Sequence, residues 1–214
     1  MTMKKKVILA IAALIVLSGA VAALRIASYA PVSGATLGAG TEAYGFPWRG
    51  AIHVHSSISD GAARIDEIMA AAAEAGVDFL VLSDHNPLGP RERPRPGWYG
   101  GILLIVAEEI TTDRGHLLAL QIPPHRYRFG PTARQALADI DDEGGWALVA
   151  HPDHSRLAWA GGGGGTQGLE VVNLSAAWSR STALSGAATI VSGIINRDYA
   201  ATRLLSGGWP TVSV

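Results

Sequence analysis

Short apolar runs alternating with helical patterns constrain this chain more than any other feature. Ala51–His55, Phe79–Ser83, Ile102–Ala107, His116–Leu120, Trp146–Ala150 and Leu169–Leu174 are runs of five or six residues that read as strands. Between them, Ile65–Ala75 places Ile65, Ile68, Met69 and Ala72 at helical spacing, and Thr132–Glu143 reads as a helix with Pro131 at its start. This alternation predicts α/β architecture with a largely parallel sheet or barrel, whose strand C-termini face one way and carry the site. With 48% hydrophobic and 16% charged residues in 214, the chain can bury a sizeable core.

The polar residues at the ends of these runs are of one chemical kind. His53, His55, His85, His116 and His151, five of the seven histidines, lie at or beside the end of an apolar run, as does the pair Glu108-Glu109. In a regular strand, the period of 2 puts the His53 and His55 rings on one face, about 7 Å apart at the backbone, close enough to converge on one metal ion. Asp60 follows on the loop. Phe79–Ser83 delivers Asp84 and His85 to the sheet rim, where His85 can ligate a metal and Asp84 can orient a ligand or a water. A glutamate after Ala107 can bridge two ions. The chain has no cysteine, which removes disulfides, thiolate sites and a cysteine nucleophile and leaves imidazole and carboxylate ligands, a set suited to Zn, Mn or Fe. The net charge is −1 and the basic residues form no patch interleaved with aromatics, so nucleic acid is not expected as a partner.

Residues 1–24 read as an export signal: Lys4, Lys5 and Lys6 precede the apolar run Val7–Leu17, and Ala20-Val21-Ala22 gives a small-residue cleavage pattern. Run on to Leu24, the stretch also reaches the lower limit for a membrane span, so an N-terminal anchor is the alternative. Either places the remainder outside the cytoplasm, in the periplasm or the extracellular space. Cleavage after Ala22 would remove the three lysines and leave 14 of the 17 basic residues against 18 acidic ones. Residues 25–47, rich in Gly, Ala, Ser and Thr, read as a linker, and 48–214 as the domain. Pro87–Gly101 and Gly161–Gly165 read as surface loops, the first with Arg91, Arg93 and Arg95 solvated; the glycine run lacks the Lys-Ser/Thr of a phosphate-binding loop. His125 reads as a solvent-facing loop residue, His154 as shaping the loop after His151, and the tryptophans mostly as packing.

As an ordered set, His53-Val54-His55 with Asp60-Gly61, Ser83-Asp84-His85, Glu109-Ile110-Thr111 with Gly115-His116, Ala150-His151-Pro152 and Glu170-Val171-Val172-Asn173 resemble the polymerase and histidinol phosphatase (PHP) superfamily. The export signal makes the chain look most like its secreted, carbaryl-hydrolase-like branch. The resemblance spans roughly Trp48 to Asn173 and implies a distorted (βα)7 TIM-like barrel with a two- or three-metal centre at the strand C-termini. It also implies hydrolysis of phosphoesters or, in some members, other esters. Carried over, His53, His55, Asp60, His85, Glu109 and His151 match metal ligands, with Glu109 rather than Glu108 as the bridging carboxylate, and His116 matches a ligand used in some branches. The expected reaction is hydrolysis of a small phosphoester by metal-activated water, with Asp60 or Asp84 as proton acceptor or leaving-group acid. A carbamate or carboxylic ester substrate on the same site is the alternative. The family's late Asp-x-His has no match after Asn173, since Asp198 is followed by Tyr199-Ala200. The expectation is therefore a barrel incomplete at its C-terminus, with an inactive metal-binding remnant as the rival outcome.

Overall fold

The computed structural model describes residues 3–29, 48–85, 93–125, 127–197 and 199–200. Arg91, most of the 25–47 linker, Asp198 and the end from Trp209 to Val214 lie outside the described residues. Chain contacts group residues up to 29 with those from 177 onward, and residues 48–176 into a second unit.

In the larger unit, three consecutive parallel strands are built from the runs read in the sequence. Strands β1 (Gly50–Val54), β2 (Phe79–Leu82) and β4 (Ile102–Val106) pair in that order, and β3 (Gly97–Tyr99) adds an antiparallel edge. Helix α2 (Ile65–Ala75) lies between β1 and β2 in sequence. The Glu67 carboxylate accepts from the Arg64 N–H at its start, and Gly76, at φ 65°, closes its end in the left-handed conformation that glycine adopts without strain. Ala72 of α2, with Ile65, Ile68 and Met69, packs on Leu80, Leu82, Ile102, Leu104 and Val106.

A second sheet orders β5 (Glu108–Thr112), β6 (Gly115–Leu120), β7 (Trp146–Val149) and β8 (Gly168–Leu169). Helix α3 (Ala133–Asp142) covers it, with Ala136 and Ile140 packed among Leu117, Ala119, Ala147 and Val149. Thr132 caps α3, its hydroxyl accepting from the Gln135 N–H. Both helices fall within a residue of their sequence-based bounds, because cap and apolar stripe are local signals.

The sheet is less parallel than the alternation predicts. β6 runs antiparallel to both β5 and β7, and among the described residues the strands form two four-stranded sheets, not a closed seven-stranded barrel. The two sheets share the segment 102–112, which breaks at Ala107: its first half pairs with β2 and its second with β6. Ala107 N–H donates to Leu82 O at 2.7 Å and Glu109 N–H to Asp84 O at 3.3 Å, so the end of β2 stays tied to the start of β5. Leu169–Leu174 is a strand only at its first residue; the chain leaves the sheet at Glu170 and enters helix α4 (Leu174–Ser179).

In the smaller unit, helix α1 (Met3–Ala27) packs against α5 (Ala183–Ile195), Asn196 donates its side-chain amide to Tyr29 O at 2.8 Å, and the Tyr29 and Tyr199 rings meet edge to face. α1 continues three residues past the expected end of the apolar segment. No helix among the described residues is long and apolar enough to cross a membrane.

Candidate metal centre

Glu109 is the hub of the site. It is the second residue of β5, beside the ends of β1, β2 and β7, is buried, and receives imidazole nitrogens on both carboxylate oxygens. Its Oε1 lies 2.8 Å from His116 Nδ1 and 2.9 Å from His151 Nε2. Its Oε2 lies 2.9 Å from Nε2 of both His53 and His55, and 3.3 Å from His85 Nε2. Burial alone would raise the Glu109 pKa; the surrounding imidazoles, His116 and His151 foremost, overcome it and hold the carboxyl far below the usual range.

The histidines reach this point by different routes. His53 and His55 do not sit on an uninterrupted strand. The β1–β2 register shifts between Ala51 and Val54, and His53 adopts φ 60°, so a bulge with a left-handed residue, not simple alternation, brings the two rings to a 5.1 Å separation. His85 bridges to Glu109 just past β2, His116 sits in β6 opposite Thr111, and His151 follows β7 with φ 29°. Non-glycine residues rarely take such angles, and two of the five histidines do so here.

Asp60 and Asp84 separate in role. Asp60, on an exposed turn, places Oδ1 2.6 Å from His55 Nδ1 and Oδ2 3.7 Å from His85 Nε2. Its slight burial works against ionisation, but the His55 and His85 rings prevail and lower its pKa. Asp84 is buried and spends both oxygens on the preceding turn: Oδ1 accepts from Ser56 N–H and Ser59 O–H, and Oδ2 from Ser56 O–H. It shapes the loop that carries Asp60 and is not among the groups gathered at Glu109.

Glu170, the first residue of the Glu170-Val171-Val172-Asn173 motif, belongs to the site. Its Oε1 lies 2.7 Å from His53 Nδ1, and its Oε2 accepts from the His151 N–H at 2.6 Å and from the Asn173 amide at 3.0 Å. The signal was present: like Asp84-His85 and His151, Glu170 is the polar residue immediately beyond an apolar strand. Burial of His53 disfavours its charged form, but hydrogen bonds to Glu109 and Glu170 outweigh this and push its pKa up to about 9.

A second buried cluster adjoins the first. His125 is not solvent-facing: it is buried against Phe129 and Tyr127, with Nε2 3.1 Å from Glu108 Oε2. Arg93 is not solvated either, since its guanidinium donates to Val106 O at 2.7 Å and to Ile122 O at 3.1 Å. Burial pushes the Glu108 pKa up to about 7 despite Arg93 and Arg128. The His125 Nδ1 faces the Tyr127 carbonyl at 2.8 Å and must carry the ring proton of the neutral imidazole, leaving Nε2 as an acceptor. That nitrogen makes no hydrogen bond, Glu108 Oε2 only approaching it at 3.1 Å. His154 does shape its loop, Nδ1 accepting from the Arg156 and Leu157 N–H groups. Trp48, Trp98, Trp146 and Trp178 are largely exposed, so the packing expectation fails for them, whereas Trp159 packs against the second core.

The donor set fits divalent cations. His53, Glu109 and His151, and likewise His55, His85 and Glu109, offer ligand atoms within 4.8 Å of one another, so Glu109 belongs to two potential half-sites. His151 Nδ1 is buried without a hydrogen-bond partner, as are Ser83 Oγ and His125 Nε2. All donors are imidazole or carboxylate. Beside the cluster opens a cavity of about 610 Å³, lined by Asp60, His85, Glu109 and His116 on one part and by Ile58, Ile110, Phe129 and Arg128 on another.

Residues 51–130 match the model of the PHP domain. This segment carries His53, His55, Asp60, His85, Glu109 and His116 but not His151 or Glu170. An error-prone DNA polymerase from Symbiobacterium thermophilum is 40% identical over 80 residues, which are 36% of this chain and 7% of the polymerase. The chain thus spans a small part of that relative's length. A crystal structure of a two-domain protein from Bacteroides vulgatus, described as containing a predicted PHP-like metal-dependent phosphoesterase, aligns with a TM-score of 0.45 at 21% identity, over 58% of this chain and 44% of that one.

Proposed function

We propose that this chain is a metal-dependent phosphoesterase acting on a small anionic phosphoester, with two or three divalent ions (Zn, Mn or Fe) held around Glu109. The observation that carries the reading is the convergence of five histidine side chains on the two oxygens of one buried carboxylate. A buried charge so surrounded is costly to assemble without a ligand function.

Bound cations would supply Lewis acidity towards phosphoryl oxygens and lower the pKa of a coordinated water. The protein's own part is to hold and orient. Glu109 is shared between half-sites; His53 and His151 would present nitrogens to one, His55 and His85 to the other, and His116 holds Glu109 Oε1 at 2.8 Å. Asp60, exposed on the cavity side, is placed to accept a proton from water or return one to a leaving group. Arg128, the only arginine or lysine among the described lining residues, favours an anionic substrate, and Phe129 and Ile110 offer its organic part an apolar wall. The basic and apolar pattern of residues 1–24 supports export of the protein from the cytoplasm.

Metal content of the purified full chain and of His53→Ala, with parallel assays on an aryl phosphate and an aryl ester, tests this. Stoichiometric metal that falls in the variant, together with phosphate release, is expected. Substoichiometric metal unaffected by the substitution would overturn the metal centre, and turnover of the ester alone would overturn the phosphoesterase assignment.

A further inference from the structure

We infer that Glu170 is the positioning residue for one half of the centre, the half formed by His53, His151 and Glu109. The inference rests on reading the cluster as a metal centre and deepens it. Glu170 touches both histidines of that half by different means: Oε1 meets the outer nitrogen of the His53 ring at 2.7 Å, and Oε2 accepts the backbone N–H of His151 at 2.6 Å. It makes no hydrogen bond or ion pair to His55 or His85 among the described residues, whose outer contacts are Asp60 and the Glu109 carbonyl. The histidines it holds are the two with left-handed backbone, φ 60° and φ 29°. A conformation that L-residues disfavour persists only where neighbours over-determine it, and Glu170 supplies a bond to each.

Glu170 itself has little freedom. It is buried, its N–H donates to Val149 O at 2.9 Å, and Asn173 donates to its Oε2 at 3.0 Å. A carboxylate fixed this way and bonded to His53 Nδ1 keeps a proton on that nitrogen and turns Nε2, with its lone pair, towards the metal position. Its second oxygen sets the direction of the strained turn that presents His151. A glutamine cannot do both, because replacing either oxygen with an amide NH₂ places a donor against an N–H.

The test uses the full chain and zinc alone. Zinc is titrated calorimetrically into wild type and Glu170→Gln, and long-range ¹H–¹⁵N spectra report which ring nitrogen of each histidine carries the proton in the loaded protein. The expected result is that one zinc equivalent weakens about 10- to 100-fold while another is unchanged. The His53 signal should lose its single protonated-Nδ1 signature while His55 and His85 keep theirs. Glu170→Asp, which retains the charge but is too short to span both partners, should show the same one-sided loss. Unchanged zinc binding, equal weakening of all equivalents, or loss of cooperative melting in both variants would overturn the inference and make Glu170 a general structural residue. Absence of zinc binding by the wild type would instead overturn the metal centre on which it rests.

Discussion

At the scale of single residues, the protonation of Glu108 is set by its burial. Burial raises its pKa to about 7 against the lowering effect of Arg93 and Arg128. A carboxyl whose folded pKa lies above its unfolded value of 4.5 contributes stability that is complete below 4.5 and is lost as pH rises through 7. The contribution is on the order of 3 kcal/mol. Glu108→Gln cannot ionise. The melting-temperature difference between wild type and variant should therefore be flat below about pH 4.5, shift in favour of the variant between about 4.5 and 7, and level off above 7; parallel curves across that window would refute a raised Glu108 pKa. His53 gives a second pH dependence. With its pKa near 9, Nε2 carries a proton at neutral pH that a cation must displace. Zinc affinity should rise up to about tenfold per pH unit below 9, for each proton displaced, and a pH-independent affinity would contradict the clamped imidazolium.

At the scale of elements, the turn after β1 decides whether Asp60 reaches the site. Its backbone closes with Gly61 N–H and Ser59 N–H both donating to Ser56 O. A Cβ on Gly61 would lie 2.1 Å from His55 O, a backbone atom that cannot step aside. Gly61→Ala should displace Asp60 from His55 and lower turnover by more than it lowers melting temperature. A variant with wild-type kinetics would show the turn to be dispensable. The segment 102–112 is the element on which the architecture pivots, and its break at Ala107 lets Glu109 lie against the ends of both sheets. Leu117, wholly buried in β6, is a measure of how far that second sheet depends on packing. Leu117→Ala should cost about 2–5 kcal/mol in denaturant unfolding, the range for a leucine truncated in a core that relaxes only partly.

For the whole molecule, the centre joins distant parts of the chain. Residues 53, 109 and 170 meet through two direct contacts, so a ligand that binds there ties β1, β5 and the end of β8 together. Ions that bind the folded state alone add about 2.7 kcal/mol when free metal exceeds its dissociation constant a hundredfold. Dialysis against a chelator should lower the melting temperature of the wild type and leave that of Glu109→Ala, which lacks the shared ligand, almost unchanged. Equal shifts in both would place the stabilising metal elsewhere.

The sequence by itself determined the elements and the kind of chemistry. Hydrophobic periodicity and caps are local, so α2, α3 and the strands from β1 to β7 that carry apolar runs were legible to within about two residues, and the imidazole and carboxylate residues beyond them identified the donor types. What only the tertiary structure decided depends on partners far apart in the chain. The antiparallel pairing of β6, the short strands β3 and β8 and the division into two sheets follow from which edges find each other. The burial of Arg93, Glu108 and His125 follows from a loop folding back on the core. The bulge at His53 and the two-handed grip of Glu170 depend on a contact spanning 117 residues. No pattern of spacing within β1 could specify it, because the geometry of His53 is set jointly by its own backbone and by a carboxylate that the chain supplies only after seven more strands.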